Sequence, residues 1–299
     1  MSILVLGTVA LDTVKTPSGR RRNMLGGSAV HFAMSGRLFS RVHLVAVIGE
    51  DFPEAHIDFL GKKGVVLDCL IRRPGSTFRW SGEYRGDLNT AITLKTELGV
   101  LASFVPQVSA VQRRIKNVFL ANVDPDIQRY LLGRMRSPGL IGLDSMNYWI
   151  KTKRSSLAKA LKSVHIFVAN DQEARDLSGE ANLVKAARYL RSRGPRMVLI
   201  KKGEHGAMFY SDAFIGSLPA YPTATVVDPT GAGDTFAGGF MGYLAKTGRV
   251  DQAAVKKALA YGTAAASLNV EGFGVERTSL LSLQDLEKRL SAFKKMILF

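Results

Sequence analysis

The residues with the most chemistry in them are Asp228-Pro229-Thr230-Gly231-Ala232-Gly233-Asp234-Thr235-Phe236. An apolar β-type run ends at Asp228, a glycine-rich turn follows, and a helix is predicted to begin near Gly233. Phe236, Phe240, Tyr243 and Leu244 then repeat at helical spacing as its core face. Gly231 and Gly233 leave backbone N–H groups uncovered at the positive end of that helix, where developing phosphate charge can be received at close range. Asp234 aims a carboxylate from the first turn into the same space. A carboxylate beside an anion site is electrostatically costly unless it has a proton to accept, which is the role of a general base. Taken alone, Gly-Ala-Gly-Asp fits an ordinary helix start with an acidic first turn equally well.

Three further constellations stand out. Gly26-Gly27-Ser28 opens a helical pattern, with Ser28 the expected N-cap. Asn170-Asp171-Gln172-Glu173 follows an apolar run; it reads as a capping box, and its amide and carboxylate oxygens also suit a hard, hydrated cation. Lys201-Lys202-Gly203-Glu204-His205-Gly206 follows another apolar run and offers a glycine turn beside two cations.

The full Asp-Pro-Thr-Gly-Ala-Gly-Asp-Thr-Phe string resembles the C-terminal signature of the ribokinase-like (PfkB) kinases. Gly26-Gly27-Ser28-Ala29-Val30-His31 resembles their N-terminal signature, and Asn170 with Glu173 resembles their Asn-x-x-Glu motif. The motifs come in the family's order and span essentially the whole chain. The resemblance implies a three-layer α/β/α domain over residues 1–299, with a mostly parallel sheet and a small β lid from about 12–22 and 72–97. It implies an ATP-dependent kinase using Mg2+, in which Asp234 takes the proton of an acceptor hydroxyl and the Gly231, Ala232 and Gly233 backbone stabilises the moving phosphoryl group. Asp12, Gly26 and Gly27 are implied at the acceptor; Asn89, Asn122 and Asn147, at lid and strand ends, are candidate hydroxyl ligands that read equally well as turn or cap residues. Asn170, Lys201, Gly203, Thr230 and Asn269 are implied on the nucleotide side, and Glu173 and Asn170 at the magnesium. Relatives often carry a small hydroxyl residue where Lys201 stands, so the role of that cation stays open. The expected acceptor is a small sugar-like molecule, with a nucleoside as the alternative within the fold. A metabolite-binding regulator without turnover is the alternative outside enzymes.

The elements that must position these residues are legible from periodicity. Strands are expected at Ile3–Leu6, Val42–Ile48, Asn117–Leu120, Leu140–Leu143, Val164–Val168 and Met197–Ile200. Helical patterns lie between several of them and fill the last third. Apolar strands joined by helices imply a sheet covered on both faces. Residues 77–84 instead alternate bulky and polar, with Leu88–Leu94 as a continuation, and read as antiparallel strands outside the parallel sheet. Phe78 and Trp80 on this flap either stack a nucleobase or simply pack it down.

Composition narrows the function further. One cysteine, Cys69, excludes a disulfide framework and a Cys-rich zinc site, and five scattered histidines contain no His-x-x-x-His pair. No export signal or membrane-spanning run is read, so a cytoplasmic protein with no membrane partner is expected. The net charge of +16 is dispersed in doublets with no nucleic-acid-binding motif, so no nucleic-acid partner is expected. Arg20-Arg21-Arg22 reads as a solvated basic loop, with recognition of a substrate phosphate as the alternative. The exposed flap edge suits pairing with a second copy, a homodimer through the lid.

Overall fold

In the computed structural model, which describes residues 1–297, the chain alternates strand and helix as its apolar runs dictate. The first half carries β1 (Ser2–Leu6), β2 (Ala10–Thr16), β3 (Gly19–Gly26), α1 (Ser28–Gly36), β4 (Arg41–Gly49), α2 (Glu54–Lys62) and β5 (Val66–Arg73). A hairpin of β6 (Arg79–Tyr84) and β7 (Ala91–Glu97) follows, then β8 (Asn117–Leu120), α3 (Pro125–Leu132) and β9 (Leu140–Asp144). The second half begins with α4 (Asn147–Thr152), α5 (Arg154–Leu161), β10 (Ile166–Asn170), α6 (Asp171–Ser178), α7 (Leu183–Ser192) and β11 (Met197–Lys201). It ends with β12 (Ala207–Ser211), β13 (Ile215–Leu218), α8 (Ala232–Thr247), α9 (Gln252–Asn269) and α10 (Leu283–Ile297).

The main sheet has nine strands in the order β13-β12-β11-β10-β9-β8-β1-β4-β5, parallel from β5 to β11 and antiparallel at β12 and β13. Each expected parallel strand is present. Side chains alternate across the pleat: Ile3 and Val5 enter the core shared with α1, α8 and α9, whereas Leu4 and Leu6 enter the core shared with α5, α6 and α7. All four are fully buried, which is why the strand reads as a continuous apolar run. Cys69 is a buried free thiol in β5.

The sequential connection from β1 leads to β4 on one side, while β8 pairs on the other. The strand order therefore reverses at β1, and the crevice outside the carboxyl ends of β1 and β8 is where such sheets bind ligands. A second, four-stranded sheet of order β3-β2-β6-β7 stands beside this crevice. Its two hairpins join through a parallel β2–β6 pairing, so it is not wholly antiparallel. Arg72 and Arg73 end β5 of the main sheet instead of belonging to the flap, and β7 starts only at Ala91 because Gly86 and Leu88 turn with φ of +60° and +61°. Arg20, Arg21 and Arg22 lie on the edge strand β3, not in a loop. Among the described residues no helix is long and apolar enough to cross a membrane.

Candidate active site

The acceptor-side motif is built by contact between β2 and the start of α1. Asp12 Oδ2 accepts the Gly27 N–H at 3.2 Å. A Cβ on Gly26 would lie 2.0 Å from that same oxygen, and one on Gly27 2.4 Å from the Thr8 carbonyl oxygen. Both glycines are thus required for the carboxylate and the helix start to share one wall. Gly27, at φ 96°, is the N-cap; Ser28 is the first helical residue, and its hydroxyl bonds Thr8 instead of capping, which corrects the expectation for Ser28. Burial pushes the Asp12 carboxyl up to about 7, with Asp228 and Asp234 adding to it against the Gly27 N–H.

Asp234 arrives from the other side of the crevice. α8 begins at Ala232 behind Gly231, whose φ of +72° admits few residues but glycine, and no side chain caps the helix. Asp228, fully buried, ties the turn down by accepting from Thr230 N at 2.9 Å and from Gly274 N at 3.0 Å. A Cβ on Gly231 would lie 2.2 Å from the His31 ring, so the imidazole lies directly beneath the turn. His31 is 2% exposed, neither ring nitrogen has a hydrogen-bond partner among the described residues, and burial lowers its pKa. Burial likewise pushes Asp234 up to about 7, with Asp144 raising it further and Lys201 opposing. From the small sheet, buried Tyr84 reaches Thr230 Oγ1 at 3.4 Å, so both sheets touch the turn.

The third component lies at the ends of β9, β10 and β11. Asn170 and Glu173 form a complete capping box: Asn170 Oδ1 accepts Glu173 N, and Glu173 Oε2 accepts Asn170 N, both at 2.7 Å. Burial, reinforced by Asp144, raises the Glu173 carboxyl. Lys201 Nζ donates to Asp144 Oδ2 at 2.8 Å. Burial works against the Lys201 ammonium, but Asp144, Glu173 and Asp234 outweigh it and its pKa is raised. Accumulated negative charge with oxygen donors is a fitting environment for a divalent cation such as Mg2+.

The structure therefore brings Asp12, with Gly26 and Gly27, and Lys201 and Glu173 within electrostatic reach of Asp234, which lies beside Thr230, Gly231, Ala232 and Gly233. Other residues are placed differently. Asn89, expected at the acceptor, sits in the β6–β7 turn, where its Nδ2 donates to Glu204 at 2.9 Å and its Oδ1 overhangs Gly203. It closes the hairpin tip onto the nucleotide-side turn. Asn122 holds the Trp149 indole N–H at 3.0 Å and accepts Ser28 Oγ at its carbonyl, beside the α1 start. Asn269, expected on the adenine side, is 1% exposed and has both amide atoms engaged, accepting from Thr235 Oγ1 at 2.9 Å and donating to the Thr230 carbonyl at 2.8 Å. It braces the turn from behind. Asn269→Ala leaves a buried hydroxyl and a carbonyl unpaired and is expected to cost about 1–3 kcal/mol of stability, read as a lowered denaturant midpoint. Sequence reasoning missed Asp144, His31, Asp228 and Tyr84 as functional positions. Asp144 alone carries a signal, as a carboxylate immediately after an expected parallel strand.

Residues 142–280 match the pfkB family carbohydrate kinase model. The cytidine kinase of Thermococcus kodakarensis is 33% identical over 251 residues, covering 81% of this chain and 87% of that protein. The chain belongs to the pfkB family. It is accordingly an ATP-dependent small-molecule kinase of the ribokinase-like type. Among solved structures, the Methanocaldococcus jannaschii nucleoside kinase, a ribokinase-family member, superposes with a TM-score of 0.79 at 20% identity, over 97% of this chain and 98% of that one. An Escherichia coli protein described as a ribokinase II, solved with ATP and Mg2+, superposes with a TM-score of 0.81 at 18% identity, over 97% and 99%. Both likenesses extend over nearly the whole chain, so the overall fold is the ribokinase-like one.

Proposed function

We propose that this kinase phosphorylates a hydroxyl of a nucleoside, with Asp234 as the base. The observation that carries the reading is the placement of Asp234 at the uncapped start of α8, opposite Asp12 and the Gly26–Gly27 wall. Asp12 holds and orients the acceptor hydroxyls. Asp234 removes the proton of the attacking hydroxyl, and the bare N–H groups from Gly231 to Asp234 receive the charge of the transferred phosphoryl group. Gly203 and Thr230 border the nucleotide. Asn170 and Glu173 would hold Mg2+, which supplies charge neutralisation between the ATP oxygens when bound. The small sheet acts as the lid, contributed by the strands around 12–22 and 79–97; its edge strand β7, with Ile92 and Leu94 44% and 58% exposed, is the surface for a second copy.

A nucleoside is favoured over a free sugar by Trp80. In the β2–β6 register Trp80 pairs with Asp12, so the two side chains leave the small sheet on the same face. The six-membered ring of the indole covers Gly82, its N–H bonds Thr93 Oγ1 at 3.2 Å, and the side chain is half-buried. Phe78, by contrast, packs into the core and is not available for stacking. The relation to a cytidine kinase agrees with this choice.

ATP consumption with Mg2+, measured against nucleosides, free sugars, cyclitols and sugar monophosphates, tests the reading; a nucleoside is expected to give the highest turnover. Trp80→Ala is then expected to raise the KM for that nucleoside about tenfold or more, as losing one base-stacking contact does, with the KM for ATP unchanged. A free sugar as the best acceptor, indifferent to Trp80→Ala, would sink the nucleoside assignment and leave the kinase standing.

A further inference from the structure

The Asp144–Lys201 pair has no part in the phosphoryl-transfer scheme, yet it occupies the centre of the site. β9 and β11 flank β10 in the main sheet, so the pair spans two strand spacings, roughly 10 Å. The lysine must lie across the end of β10, past Asn170, its register partner. Asp144 is held on both oxygens, since Oδ1 accepts the Ser145 N–H at 2.8 Å while Oδ2 takes Lys201 Nζ at 2.8 Å. Side-chain exposures of 17% for Lys201 and 5% for Asp144 put the pair out of bulk water.

Drawn sideways in this way, the ammonium passes under the phosphoryl-binding turn. Nζ lies 2.9 Å from where a Cβ on Gly233 would be. Gly233 therefore has a second reason to lack a side chain, since any Cβ would displace the cation. A buried ion pair by itself adds little stability and is often replaceable by apolar residues without loss. Here the ammonium pairs with Asp144 alone and lies in the field of Glu173 and Asp234, so it stands among the carboxylates of the site.

We propose that Asp144 is a positioning residue that holds the Lys201 ammonium beneath Gly233, where it meets the negative charge of the phosphoryl group in transfer. The inference rests on the phosphoryl-transfer reading and adds to it a cation supplied by β11 and aimed by β9. Asp144 touches neither reactant and acts only through Lys201.

The test is steady-state kinetics on the full chain, with denaturation midpoints measured for every variant. Lys201→Met is expected to lower kcat about a hundredfold, the usual cost of removing a preorganised group at a developing charge, with little change in acceptor KM. Asp144→Asn is expected to lower kcat by about tenfold. In the Lys201→Met background Asp144→Asn should cost nothing more, because residues acting as a unit are non-additive. Lys201→Arg should recover part of the loss. The double variant Asp144→Leu, Lys201→Met separates fold from function. It is expected to melt close to the wild type and still turn over slowly. Near-wild-type kcat in the double variant overturns the proposal, since the pair would then serve the fold alone; so does wild-type kcat in Asp144→Asn, which would free Asp144 of any positioning role. Absence of ATP-dependent transfer in the wild type would overturn the underlying reading instead, and the two failures are distinguishable by that first assay.

Discussion

Asp234→Asn is expected to lower kcat by about a thousandfold, within the range a positioned general base contributes, while leaving ATP binding and the melting temperature close to the wild type. Asparagine keeps the shape at the head of α8 but cannot accept the hydroxyl proton. The pH dependence follows from the same environment. Asp234 is held near 7, chiefly by burial, so it is protonated and idle below that pH and ionised above it. The wild-type kcat/KM, which follows the free enzyme's ionisations, should therefore rise with pH through about 7 and level off above it, and the asparagine variant should lose Asp234's share of that rise. Asp12 is also held near 7, so kcat/KM should fall with the slope of two protonations on acidification, and with that of one in Asp234→Asn. With kcat and kcat/KM measured across the range from mildly acidic to mildly alkaline, a wild-type profile persisting in Asp234→Asn would show that the base is another group.

Gly231→Ala should be nearly as damaging to turnover, for a geometric reason. At φ +72° an L-residue costs about 1–2 kcal/mol, and the new methyl would fall 2.2 Å from a buried imidazole with no room to retreat. The turn must move, carrying the N–H groups of Gly231 to Asp234 with it. Displacement of a catalytic group by about 1 Å costs on the order of a hundredfold, so kcat should fall at least that far, with a melting temperature lower by a few degrees. Combining Gly231→Ala with His31→Ala opens space under the turn and should recover part of the activity. Full activity in Gly231→Ala alone would remove the turn from the anion-binding role.

Much of this site is legible in the sequence alone. The glycines at 26, 27, 231 and 233 each sit where a Cβ would strike a neighbour, so their types record close approaches that the motif strings already display. The apolar runs mark each parallel strand because both faces are buried, and amphipathic periodicity marks the helices that cover them. The capping box at Asn170 and Glu173 is readable for the same local reason, since both of its bonds close within one turn.

What stays hidden are contacts between distant segments. Asn89 reads as an acceptor ligand because it lies in the flap, but the hairpin tip reaches the 203–206 turn, a contact 115 residues away in sequence. Asn269 reads as a nucleotide contact from its position after a long helix, whereas 34 residues back Thr235 claims its oxygen. Ser28 looks like an N-cap, but Thr8 on the preceding connection takes its hydroxyl and leaves the cap to Gly27.

The sequence by itself determined the alternation of strands and helices, the family and the glycine and capping motifs, because these depend on local periodicity and on short strings whose members act within a few residues of one another. Only the tertiary structure decided the strand order that sets β1 between β4 and β8, the parallel joining of β2 to β6, and the pairing of Asp144 with Lys201 across β10. Those depend on which strands lie side by side. No local propensity encodes that choice; it is settled by burying both faces of the whole sheet at once.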